Sequence, residues 1–116
     1  MININQIMKN PEEHDRRMSK YGYNEHYENN NFSSNFLIEL YIQVQNWKII
    51  LYAACDYIKE VKTLLNEEIK NNNDDILLIK QKLKNAKERK VMIKANYRFM
   101  KNKFHELLKS IPKYLD

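Results

Sequence analysis

Between residues 69 and 80 the chain reads IKNNNDDILLIK, and this stretch decides the fold. Three asparagines and two aspartates interrupt an apolar seven-residue repeat that runs on both sides of them. Before the break, Leu37, Val44, Leu51, Ile58 and Leu65 fall at heptad position a, and Leu40, Trp47, Ala54 and Val61 at d. After it, Ile76, Leu83, Tyr97, Phe104 and Ile111 fall at a, and Ile79, Ala86, Ile93, Met100 and Leu107 at d. Glu68 at a d position and Lys90 at an a position break the pattern. Spacing sustained over this length predicts two long helices packed along a shared seam.

Register follows from the rule that a meets d across an antiparallel pair. Leu65 with Ile79, Val61 with Leu83, Leu51 with Ile93, Trp47 with Tyr97 and Leu37 with Leu107 are all centred on Asn72. The apolar repeat and the turn chemistry therefore choose the same hinge. The expected fold is all-α: an antiparallel, coiled-coil-like helical hairpin with a helix over 35–71, a turn over 71–74 and a helix over 75–111. Ser33, Ser34 and Asn35 offer caps for the first helix and Asp74 or Asp75 for the second, while Pro112 stops it. Lys90 is set opposite Ala54, whose small side chain leaves room for the lysine stem.

Residues 1–34 are polar, with asparagine runs and scattered aromatics such as YGYNEHY at 21–27. They are expected to be mostly irregular, with room for a short helix over 6–10 or 12–20. One Gly and two Pro in 116 residues leave little material for tight turns, which again favours long helices.

A two-helix hairpin seldom buries enough surface to be robust alone. The first helix carries a second apolar stripe at Ile38, Ile42, Ile49 and Tyr52, the second a weaker one at Leu78, Val91, Met92 and Phe99. An apolar stripe calls for a cover. Ile4, Ile7, Met8 or the tyrosines of the N-terminal segment supply one candidate, a further copy of the chain completing a bundle a second, and a different protein a third. Ile38, Ile42, Ile49 and Tyr52 are accordingly the apolar candidates for partner binding.

Charge supplies the other candidate surface. The net charge is +5, yet residues 76–115 alone hold twelve Lys and Arg against Glu88 and Glu106. Positions e and g flank the seam, and on the second helix they carry Lys80, Lys87, Lys94 and Lys101 at e with Lys82, Arg89 and Lys103 at g. The first helix answers with Tyr41, Lys48, Cys55 and Lys62 at e and Gln43, Ile50, Tyr57 and Leu64 at g, with no acid among them. Lys80, Lys82, Lys84, Lys87, Arg89, Lys94, Arg98, Lys101 and Lys103 thus form a basic edge that the hairpin does not neutralise. Enrichment in Asn, Lys, Ile and Tyr also fits AT-rich coding, under which these lysines are ordinary solvated surface. The competing reading is an acidic partner, with protein ahead of nucleic acid because Lys outnumbers base-reading Arg.

Catalytic and metal chemistry is not expected. His14, His26, His105 and Cys55 show no metal-ligand spacing, EEHD at 12–15 reads as a solvated face, and no glycine-rich phosphate loop occurs. No cofactor follows from the sequence. A lone cysteine and the lack of a signal-like segment point to an intracellular, cytoplasmic protein, and charges at Glu39, Lys48 and Asp56 argue against a membrane span. The expectation is a non-enzymatic helical adaptor that joins a larger assembly through apolar faces and meets an acidic protein along the basic edge. Its alternative is a nucleic-acid binder that uses the second helix as a phosphate-contacting rod.

Overall fold

A computed structural model describes residues 3–20, 33–72 and 74–111. Among these residues four helices occur: α1 (Ile4–Lys9), α2 (Pro11–Lys20), α3 (Ser34–Lys70) and α4 (Ile76–Ser110). Of the described residues 92% are helical and none lies in a strand, and α3 and α4 pack against each other as a helical hairpin. Every a and d position of both long helices is buried or half-buried, Glu68 and Lys90 included.

The hinge has identifiable chemistry. Asn72 takes φ 53°, a left-handed conformation that costs most L-residues steric energy but that asparagine tolerates. Its N–H donates to the Ile69 carbonyl at 3.2 Å, which closes the end of α3. Asp75 stands immediately before α4, and its carbonyl accepts the Ile79 N–H at 3.0 Å. At the other end of α3, Ser33 is the cap: its hydroxyl accepts the Phe36 N–H at 3.3 Å and its carbonyl the Leu37 N–H at 3.0 Å.

Cα packing divides the chain into two compact units, Met1–Gln45 with Phe99–Asp116, and Asn46–Arg98. In the first unit residues 4–20 form two helices, at the two places where the sequence left room for a short one, and residues 21–32 lie outside the described residues. Asn3 caps α1 by accepting the Asn5 N–H at 2.9 Å. Asn10 caps α2 by accepting the Glu13 N–H at 3.3 Å, with Pro11 at the first helical position and Glu12 and Glu13 in the first turn. Ile4, Ile7 and Met18 from these helices are buried, as are Leu37, Leu40, Val44, Phe104, Leu108 and Ile111 of the same unit. Met8, the other proposed cover, is exposed. The tyrosines at 21, 23 and 27 lie outside the described residues.

A long-range hydrogen-bond pair fastens this layer. The Asp15 carboxylate accepts the Ser34 N–H at 2.8 Å and the Ser34 hydroxyl at 2.6 Å. It thereby satisfies one of the orphan N–H groups at the start of α3 and sets negative charge at the positive end of the helix dipole. Ser34 and His14 are the buried polar residues of this unit among those described.

Candidate interaction surface

The residues of EEHD at 12–15 diverge. Glu13 binds the guanidinium groups of Arg16 (2.6 Å) and Arg17 (3.0 Å) on the surface of α2. Hydrogen bonds from Arg16 and then Arg17 hold its carboxyl down from the ordinary 4.5 to about 2, and the same contact raises the Arg16 guanidinium. His14 points inward and Asp15 serves Ser34, and no metal-binding cluster occurs among the described residues.

The proposed partner surfaces lie largely open. In the second unit Lys80, Lys82, Lys84, Lys87, Arg89, Lys94 and Arg98 are exposed, as are Lys101 and Lys103 in the first unit. Among the described residues no carboxylate lies within ion-pairing distance of Lys80, Lys82, Lys87, Arg89 or Lys94. The imbalance is confined to one unit: residues 46–98 hold twelve cations against seven acids, whereas the first unit holds eight of each. Like charges gathered on a small surface repel, so the second unit carries an excess positive field.

The apolar stripe of α3 is uneven. Ile42 is 48% exposed, Ile49 65% and Tyr52 58%, whereas Ile38 is half-buried and drops out of the open face. Lys48 places its ammonium 5.9 Å from the centre of the Tyr52 ring, a cation–π approach that occupies one edge of the stripe. On α4, Val91, Met92 and Phe99 are each 68% exposed and Leu78 58%.

One feature was not read from the sequence. Beside the seam of the second unit runs a groove of about 440 Å³, bordered by Ile50, Ala53 and Tyr57 of α3 and by Lys82, Asn85 and Arg89 of α4, with Ala54, Ala86 and Ile93 beneath. A neighbouring depression of about 530 Å³ shares Asn85, Arg89 and Ile93 and extends to Trp47, Glu88 and Met92. Its signal was present: Ala53, Ala54 and Ala86 are small residues that the hairpin register gathers into adjoining layers. Their missing volume leaves the space that leucine or isoleucine would fill.

Glu68 was noted in the sequence only as an exception to the repeat. In the structure it is half-buried, and its Oε2 is shielded from solvent without a hydrogen-bond partner among the described residues. Cys55 is half-buried and free. No described helix is long and apolar enough to cross a membrane.

Comparison with known proteins finds no matching family model, no matching curated protein and no matching solved structure. The functional reading therefore stands on the charge and the exposed apolar surface.

Proposed function

We propose that the chain is a non-enzymatic helical interaction subunit, which joins a larger protein assembly through its apolar faces and contacts an acidic protein through the basic edge of α4. One observation carries this reading: Lys80, Lys82, Lys87, Arg89 and Lys94 are exposed and have no carboxylate partner among the described residues, with apolar side chains across the g margin. Anionic surface brought there would gain attraction without first breaking internal ion pairs. The exposed stripe at Ile42, Ile49 and Tyr52 supplies the area for joining an assembly, with a further copy of the chain or a different subunit as its cover. The compartment we assign is the cytoplasm, on the strength of the single cysteine.

The second reading is nucleic-acid binding. The e margin favours it, because Lys48 and Lys62 of α3 share that flank with Lys80, Lys87 and Lys94 of α4 by heptad position, a row suited to phosphates. The two readings separate in solution. Capture from native extract on the full chain, with light scattering of the purified chain, recovers an acidic protein as a stoichiometric complex under the first. Under the second, generic RNA or DNA binds with steep salt dependence, and Lys87→Gln with Lys94→Gln lowers the logarithmic salt slope by about 2. A stable monomer that recovers neither would overturn both.

A further inference from the structure

Resting on the reading of the chain as a binder of acidic protein, we propose that the g margin of the second unit is a docking groove for one amphipathic helix of a partner. Its apolar face would seat over Ala53, Ala54 and Ala86, with two carboxylates one heptad apart meeting Lys82 and Arg89.

The two margins of this unit differ in kind. The e margin is basic on both helices, with Lys48 and Lys62 on α3 and Lys80, Lys87 and Lys94 on α4. The g margin is basic on α4 alone, and its α3 side presents Ile50, Tyr57 and Leu64, each between 42% and 47% exposed. A phosphate backbone gains nothing from an apolar wall, so nucleic acid suits the first margin better than the second. A helix with one apolar face and acidic flanks satisfies both halves of the g margin at once.

The groove geometry agrees. Its three alanines, Ile50, Tyr57 and Ile93 give it an apolar lining, and both of its cations come from α4. Lys82 and Arg89 are seven residues apart on α4, about 10.5 Å along the axis, which matches carboxylates seven apart on a helix laid alongside. Among the described residues neither cation has a carboxylate within ion-pairing distance. Arg89 also lines the adjoining depression, together with Glu88, so it is common to both hollows, where a bidentate pair would fix register. A second copy of the chain is the weaker occupant, because its own second unit would bring twelve cations against seven acids to the contact.

The test uses the full chain, labelled with ¹⁵N, and a synthetic helix of about three heptads with Leu at a and d and Glu at e and g. Its twin carries Lys in place of every Glu. The acidic helix is expected to shift the amides of Ala53, Tyr57, Ala86 and Ile93 and to bind at least about tenfold more tightly than the twin. Lys82→Glu together with Arg89→Glu is expected to weaken it by a further factor of about ten or more. Both residues are exposed, and an unchanged helical circular dichroism spectrum would show that the double variant folds. Lys87→Glu with Lys94→Glu, on the other margin, should change affinity less than about threefold. Loss of binding in the e-margin variant with none in the g-margin variant would sink the groove while leaving an acidic partner in place. Equal binding of the two synthetic helices, or binding of neither, would sink the acidic-partner reading as well. Shifts of the same amides on concentrating the chain alone would replace the partner helix with a second copy.

Discussion

The two compact units are built from the same two long helices and the same heptad repeat, yet they finish differently. In the first, α1 and α2 add a layer: Ile7 and Met18 are buried, and Leu37 is 0% exposed. That unit is charge-neutral, and its Asp15 carboxylate is committed to Ser34. Among the described residues the second unit consists of α3 and α4 segments with the hinge between them, and most of the large exposed apolar residues, with the whole excess of positive charge, belong to it. A heptad seam closes one face of each helix; everything outside the seam depends on what else is supplied. Where the chain supplies a third element the surface becomes core, and where it does not the surface stays available to another molecule.

This contrast can be broken most directly by truncating one apolar residue in each unit. Leu37→Ala should cost about 3 kcal/mol in urea denaturation because it leaves a cavity in a closed core. Ile49→Ala should cost less than about 0.5 kcal/mol, since most of its side chain is already in water. Similar losses at both sites would erase the distinction.

Asp15→Ala tests what fastens the extra layer. It removes two hydrogen bonds to a buried serine and a charge at a helix start, for an expected loss of about 2 kcal/mol. A change within error would mean that Ile7 and Met18 hold the layer without it.

In the second unit the sign should reverse at one position. Glu68→Leu replaces a half-buried carboxylate with an unpartnered oxygen at a seam position, and should raise stability by about 1 kcal/mol. A lower urea midpoint would indicate that the carboxylate is satisfied in solution.

The smallest effect belongs to Glu13. Its carboxyl titrates lower in the folded chain than the ordinary 4.5, at about 2, so its contribution is fully present above 4.5 and is lost as pH falls towards 2. The pair is solvent-exposed, so the effect on the urea midpoint across that window should be slight. Carbon-detected NMR of the Glu13 side chain reads the titration itself, and a midpoint above 4 would show the arginine contacts to be absent.

Much of this fold was legible because one periodicity governs it. The expected helices at 35–71 and 75–111 compare with Ser34–Lys70 and Ile76–Ser110, and the hinge at Asn72 has the left-handed backbone that turn chemistry asks for. The N-terminal helices were harder to read. Asparagine runs and a polar composition argued for irregular chain, although Asn10-Pro11-Glu12-Glu13 carries a cap, a proline at the first position and acids in the first turn. The Asp15–Ser34 pair was not legible, because a bond between residues 19 apart in sequence leaves no local pattern. Of the candidate surface, the basic edge was read by position, whereas the groove was missed although its alanines were in view. It arises from alanines on two helices, each of which looks unremarkable until the hairpin brings their layers together.

The central claim is that the cations of the second unit are not neutralised within the chain. Urea denaturation between about 0.01 M and 0.1 M NaCl tests it, since the screening length falls from about 30 Å to about 10 Å over that range. The account predicts that the midpoint rises with salt, because screening relieves repulsion among Lys80, Lys82, Lys87, Arg89 and Lys94. A midpoint that falls with salt would mean that carboxylates hold those cations after all, and would contradict it.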